Sequence, residues 1–336
     1  MTMGNKIALE EHFGIVGMEY PNETINAPAF ADVRRLLTET ESLRLESMDK
    51  SGIDLSILSF HGPGIQAETD PVLAVEHAKQ ANDFLQENVV ARHPDRYAGF
   101  TAVPMQNPEA AADELERCVK QYGFKGAMVN GYSNIHDENT GEYMDEPRFD
   151  VFWAKVAELD VPIYLHPRDP LPNQQRIYEG RPELTSAAWA YGVETSTHAL
   201  RLITSGLFDR YPGVNVILGH LGETLPFGIW RVQHIINRRG MCQDLKKNVS
   251  SYLADNFFIT TRANFRTQAL LDTMLEISSD RILFATDYPY ESAEEAAEWF
   301  DSCPISEPDR VRIGRENAAK LFGLEAAVAV PARLAA

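Results

Sequence analysis

Eight short apolar runs, spread along the chain and separated by helical patterns, constrain this sequence more than anything else in it. They are Ile7–His12, Asp54–Phe60, Tyr97–Val103, Gly126–Gly131, Pro162–Pro167, Asn215–Leu221, Asn256–Arg262 and Arg281–Tyr288. Most are apolar nearly without interruption. A strand with one wet face alternates; a strand buried on both faces does not, and parallel sheets are built from the second kind. Asp70-Pro71 and Asn107-Pro108 open helices, because the first residue caps free N–H groups and proline has none to satisfy. The first helix is expected to run to His93-Pro94 and the second to Tyr122-Gly123. Further helices are predicted over Phe149–Leu159, Glu194–Phe208, Leu225–Arg239, Thr267–Ile277, Ala293–Phe300 and Pro308–Phe322. Eight strand–helix units over roughly 300 residues favour an α/β fold of the (β/α)₈ TIM-barrel type, with inserted loops and helices at the C-terminal face. A doubly wound dinucleotide fold would carry G-x-G-x-x-G after its first strand. This chain has Glu10-Glu11-His12-Phe13-Gly14 there, and Gly62-Pro63-Gly64 reads only as a turn. One barrel domain is expected over residues 1–336, with its core at about 6–324 and a loosely attached tail at 325–336.

Charge narrows the function. Lys and Arg total 31 against 49 Asp and Glu, a formal net charge of −18. A generic nucleic-acid binder or an anionic-membrane binder needs a basic face, so neither is expected. No apolar stretch approaches the ~20 residues of a membrane span. The N-terminal run meets charge after three residues, too soon for a signal-peptide core. Cys118, Cys242 and Cys303 lie far apart with no CxxC, which indicates neither a disulfide framework nor a thiolate metal site. A cytoplasmic protein is expected.

In a barrel the chemistry lies at the C-terminal strand ends. His77, His93, His198 and His234 fall in or beside predicted helices and His136 in a loop, but His12, His61, His166 and His220 stand at strand ends. Strand ends make up only about 7% of such a chain, so a shared pocket explains the coincidence better than unrelated core histidines. Glu10 and His12 are two apart on a strand, so plain alternation aims both the same way, about 6.6 Å apart. Glu11 points oppositely, in a structural role. Asp287 ends the eighth run. Alone it reads as a helix cap; beside Glu10, His12 and His166 it becomes a fourth ligand candidate. Two imidazoles and two carboxylates suit Zn²⁺, Mn²⁺ or a similar ion. Glu223 has two readings: it accepts from a ring nitrogen of His220 and fixes the tautomer, or it caps the helix starting near Leu225. Spacing alone does not separate them.

Several segments resemble the decarboxylase branch of the amidohydrolase superfamily, the subfamily related to aminocarboxymuconate-semialdehyde decarboxylase. They are Lys6–Phe13, Tyr164–Arg168 with Pro170–Pro172, Arg176–Tyr178, His198–Leu202 with Ser205–Phe208, Ile217–Glu223, and Arg281–Phe284 with Thr286-Asp287. The resemblance implies one divalent ion, Zn²⁺ or Mn²⁺, on Glu10, His12, His166 and Asp287, with no organic cofactor. It implies His220 as the catalytic histidine, Glu223 behind it, and Arg231 as a substrate-holding arginine, offered in some relatives by a neighbouring subunit of a tetramer or dimer. Strand four ends in Val129-Asn130-Gly131, without the lysine of binuclear members.

The activity implied is reversible, non-oxidative decarboxylation of an ortho-hydroxybenzoate, foremost 2,6-dihydroxybenzoate to resorcinol. Asp287 would donate the proton to the ring, and His220 would position the phenolic oxygen. The alternatives are 2,3-dihydroxybenzoate decarboxylation to catechol and metal-dependent hydrolysis on the same barrel. His61, Asn130 and Tyr288 are candidate substrate contacts. Relatives tend to carry Asn in place of His61 and Trp in place of Tyr288, so the accepted ring substituents are expected to differ if both line the pocket; His61 also reads as a loop-bonding residue.

Overall fold

The computed structural model describes residues 4–18 and 28–324; the tail expected at 325–336 lies outside them. The strands in chain order are β1 (Lys6–Phe13), β2 (Ile53–Phe60), β3 (Tyr97–Gly99), β4 (Thr101–Ala102), β5 (Ala127–Asn130), β6 (Ser133–Ile135), β7 (Asp137–Glu142), β8 (Ile163–His166), β9 (Val216–Leu218), β10 (Phe257–Thr260) and β11 (Ile282–Leu283). One parallel sheet runs β1-β2-β3 and another runs β11-β10-β9-β8-β5-β4. β3 continues through Phe100 into β4, which joins the two. At the other seam Leu9 bridges Ala285 in parallel, and the His12 N–H donates to the Tyr288 carbonyl at 2.8 Å. All eight predicted strands are present, and their order and seam contacts match the TIM-barrel type.

Burial on both faces explains the unbroken apolar runs. Ile7, Leu9, Leu55, Ile57, Phe100, Met128, Tyr164, Ile217 and Leu283 form an interior cluster, joined by Phe322 and Leu324 from the end of the described chain. A larger cluster, including Phe13, Leu58, Leu165, Leu218 and Phe284, packs the strands against the helices. Fully burying one such side chain is worth about 1.5–3 kcal/mol, so both layers hold the ring.

The helices start where their caps predict. The Asp70 side chain accepts from the Val72 N–H at 2.8 Å, and that of Asn107 from the Ala110 N–H at 3.1 Å. Their ends differ from the sequence reading. The first α-helix stops at Leu85 and widens into a π-turn over Gln86–Val90; the second stops at Arg117 and does the same over Cys118–Tyr122. The stretch read as Glu194–Phe208 divides at Gly206 into Ala190–Thr204 and Leu207–Arg210. Helices at Ala31–Leu37, Ser42–Ser51 and Val249–Asn256 were not expected. Ser42–Ser51 carries no capping residue of its own. The Glu39 carboxylate, upstream, accepts from the N–H groups of Ser42 and Leu43 at 2.8 Å. Two insertions rise over the barrel mouth: the β6–β7 hairpin, and the loop after β8 with its 3₁₀ segment Pro172–Tyr178.

Candidate active site

Glu10, His12 and His166 each present one ligand atom, and these atoms all lie within 4.8 Å of one another. Glu10 and His12 come from β1, and His166 ends β8. Plain alternation does not aim the β1 pair. The register with β2 shifts between Ala8 and Glu11, and Glu10 adopts a left-handed φ of 59°. The bulge turns Glu10 toward His166, whose Nε2 lies 3.4 Å from Glu10 Oε1. His12 Nε2 lies 3.3 Å from Asp287 Oδ1, and the His12 and His166 rings meet edge-on at 4.9 Å. Glu11 points away, as expected, and accepts from the N–H and hydroxyl of Thr286 at 3.1 and 2.9 Å. It thereby anchors the residue before Asp287.

Burial pushes the imidazolium forms of His12 and His166 down; Asp287 offsets part of this at His12, while at His166 the Arg262 charge adds to it. Both rings are held neutral, with a lone pair available. Burial raises Glu10, an effect the Arg262 charge opposes. Burial also acts to raise Asp287, but the Arg262 guanidinium and His12 outweigh it and hold this carboxylate below its ordinary value. His12 Nε2, His166 Nε2 and Asp287 Oδ1 are buried and make no hydrogen bond of acceptable geometry. Two neutral imidazoles with their Nε2 lone pairs unspent, facing two carboxylates, fit one divalent cation.

His220 follows β9 in a run of left-handed residues, His220 to Thr224, with φ from 49° to 87°. Such backbone is costly and concentrates at functional sites. It folds the chain back so that His220 Nδ1 meets Glu223 Oε1 at 2.6 Å. Glu223 is therefore the partner of His220. The helix at Leu225 has no side-chain cap.

These groups open into a cavity of about 470 Å³ at the C-terminal ends of the strands. His166, His220, Arg262 and Asp287 line it, with Tyr132 and Asn134 from the hairpin and Arg168, Tyr191 and Tyr290 from the surrounding loops. Arg168 stacks on Tyr132 at 4.0 Å and donates to the Tyr132 carbonyl and Asn134 Oδ1, both at 2.8 Å, pinning the hairpin. A Cβ on Gly131 would stand 2.7 Å from Arg168 Cγ, so the turn before the hairpin requires glycine.

The expected substrate contacts fall elsewhere. His61 and Tyr288 are buried but do not line the cavity. His61 Nδ1 lies 3.2 Å from the Gly62 carbonyl, and Tyr288 packs under the Arg44 guanidinium at 4.8 Å. Asn130, held by Gln66, sits beneath the cavity floor at Gly62. Arg231 is exposed on the helix Leu225–Arg238, away from this chain's cavity. Sequence reasoning passed over Arg262, just past β10. Its guanidinium contacts Glu10 Oε1 and lies 2.9 Å from Asp287 Oδ1. It also passed over Tyr164, whose hydroxyl bonds Glu10 Oε2 and lies 3.0 Å from Thr260 Oγ1. An arginine closing an apolar strand reads as a wet strand end, so only the fold exposes it.

The fold and site define a (β/α)₈ barrel with a side-chain cluster at its mouth able to hold one metal ion. Residues 43–324 match the family model described as amidohydrolase, and the chain belongs to that family. It is similar to a gamma-resorcylate decarboxylase of Rhodococcus jostii, 46% identical over 96% of this chain and all of the relative. The crystal structure of a 2,6-dihydroxybenzoate decarboxylase complexed with 2,6-dihydroxybenzoate superposes with a TM-score of 0.92, at 46% identity over 96% of this chain and all of that one. A dihydroxybenzoic acid decarboxylase of Polaromonas, with bound manganese and the inhibitor 2-nitroresorcinol, superposes at 0.89, with 46% identity over 96% of this chain and 98% of the other.

Proposed function

We propose that the chain is a divalent-metal-dependent, non-oxidative decarboxylase of ortho-hydroxybenzoates, acting on 2,6-dihydroxybenzoate to give resorcinol and CO₂. The observation that carries this is the convergence of Glu10, His12, His166 and Asp287 beneath a cavity that His166, Asp287 and the Glu223-bonded His220 line, in a chain 46% identical to enzymes of that activity. Glu10, His12, His166 and Asp287 would hold the ion, Mn²⁺ or Zn²⁺. When bound, such an ion supplies Lewis acidity and a template for the substrate's carboxylate and ortho oxygen.

The protein's own groups supply the proton chemistry. Losing CO₂ directly from an aromatic ring would leave an aryl carbanion. Protonating the ring carbon that bears the carboxylate avoids this. Asp287, held unprotonated at rest, takes a proton from the entering acid and delivers it to that carbon. The C–C bond then breaks, its electron pair restores aromaticity, and CO₂ departs. No electrons leave the substrate, so no organic cofactor is needed and the step reverses under excess bicarbonate. His220, with Nδ1 engaged by Glu223, presents Nε2 to the phenolic oxygen and holds its proton.

Two finer features belong to this reading. Phe227 is 86% exposed and Trp230 68% exposed on the helix that carries Arg231, which supports a homo-oligomer in which Arg231 serves a neighbouring subunit's cavity. Among the described residues no helix is long and apolar enough to cross a membrane, and the three cysteines are unpaired; both features fit a cytoplasmic enzyme with one barrel domain. The test is incubation of the Mn²⁺-loaded protein with 2,6-dihydroxybenzoate, 2,3-dihydroxybenzoate and salicylate. Release of resorcinol and CO₂ from the first is expected. No CO₂ from any of the three would overturn the proposal.

A further inference from the structure

Arg262 lines this cavity, and the mechanism leaves it unused. We infer that Arg262 is an exchangeable cation: its guanidinium and the divalent ion compete for Glu10 Oε1 and Asp287 Oδ1, and the guanidinium displaced by the ion takes the carboxylate of the incoming aromatic acid. This rests on the decarboxylase reading for its substrate half only.

The geometry carries the competition. Arg262 contacts Glu10 Oε1 with one terminal nitrogen and Asp287 Oδ1 with the other, the latter at 2.9 Å. Those same two oxygens face the imidazoles, Glu10 Oε1 at 3.4 Å from His166 Nε2 and Asp287 Oδ1 at 3.3 Å from His12 Nε2. A divalent ion shared by these four residues needs the lone pairs that the guanidinium holds. Two cations in one buried space repel, so the site cannot keep both on the same oxygens.

Local structure places the arginine there. Its stem passes Gly219, where a Cβ would stand 3.4 Å from Arg262 Cδ and 3.2 Å from Glu10 Oε2. The chain turns immediately afterwards through Ala263, at a left-handed φ of 44°, and both residues line the cavity. Arg262 Nε is buried and makes no hydrogen bond, which leaves a donor edge unspent.

Displacement creates the second half. A buried guanidinium stripped of its carboxylates is costly and needs another anion. An aromatic carboxylate matches the planar fork in shape and charge, and a lysine ammonium would not. Arg262 thus couples the two events: the ion frees the clamp, and the acid that engages the clamp keeps it off the ion's ligands.

The test uses the full chain with R262Q, which removes the charge, and R262K, which keeps charge without the fork. Mn²⁺ titrated into the metal-stripped proteins should bind about ten-fold or more tighter to R262Q than to wild type, with R262K between. At saturating Mn²⁺, KM for 2,6-dihydroxybenzoate should rise about ten-fold or more in R262Q while kcat changes far less. Equal Mn²⁺ affinity in wild type and R262Q would overturn the competition, and an unchanged KM would overturn the clamp. If R262Q does not fold, the same two readouts on R262K decide. Tighter Mn²⁺ binding by the variant, in a protein that decarboxylates no hydroxybenzoate, would sink the decarboxylase reading while leaving the competition standing.

Discussion

Replacing Glu223 with Gln separates positioning from metal binding. The Glu223 carboxylate is buried and meets His220 Nδ1 at 2.6 Å, the length of a charge-assisted hydrogen bond. Such a bond is worth about 1.5–3 kcal/mol. At 1.36 kcal/mol per decade of rate, its loss corresponds to a fall of about ten- to a hundred-fold in kcat/KM. Gln can still present an oxygen to Nδ1–H, so the tautomer survives in part and the loss should sit at the low end; Glu223→Ala should reach the high end. Glu223 acts on Glu10 through its charge and not as a ligand, so Mn²⁺ affinity should fall by less than about ten-fold from wild type. The assay is CO₂ release from 2,6-dihydroxybenzoate, alongside calorimetric Mn²⁺ titration of the metal-stripped protein. Activity within two-fold of wild type in Glu223→Ala would refute the reasoning. A large drop in Mn²⁺ affinity would assign Glu223 to the metal centre instead.

Other outcomes follow from the same site. Asp287→Asn should reduce CO₂ release by about a thousand-fold or more, while circular dichroism and melting show an intact barrel; near-normal turnover contradicts its assignment as proton donor. Chelation to completion should abolish turnover, and Mn²⁺ or Zn²⁺ should restore it; activity surviving verified metal removal argues against a metal-dependent reaction. His198 supplies a pH test away from the cavity. Burial pushes its imidazolium down to about 3, and its Nε2 accepts from the Met144 N–H at 3.1 Å. The unfolded chain takes up this proton near pH 6.5 and the folded one does not, so stability falls as pH drops from there toward 3. The loss is about 1.4 kcal/mol per pH unit. Between pH 7 and 5 the wild type should therefore lose about 2 kcal/mol more, by urea denaturation, than His198→Gln, which keeps an acceptor; equal losses would show that the histidine is protonated in the fold.

The barrel was legible because its strands are buried on both faces, which writes them as unbroken apolar runs. The histidines at strand ends were legible because the fold confines chemistry to that rim. What stayed hidden depends on geometry that no spacing encodes. Glu10 and His12 converge through a bulge rather than through alternation, so the right pair was found for a different reason. Left-handed φ values at Glu10, His220, Glu223, Ala263 and Asp287 aim the site, and Glu and Ala give no hint of such a conformation in a sequence, while Asp and His give only a weak one. The helix Ser42–Ser51 is capped from outside itself and carries Arg44, which donates to the His12 carbonyl at 2.5 Å and steadies β1 from behind. Arg262 shows the limit most plainly: its role exists only once β1, β10 and the segment after β11 meet.

The most direct test of the central claim is anomalous diffraction at the manganese edge from crystals grown with Mn²⁺. A single peak bound by Glu10, His12, His166 and Asp287, with Arg262 withdrawn from the two carboxylates, is the result expected. A peak held by other residues, or none at full Mn²⁺ saturation, would contradict the account.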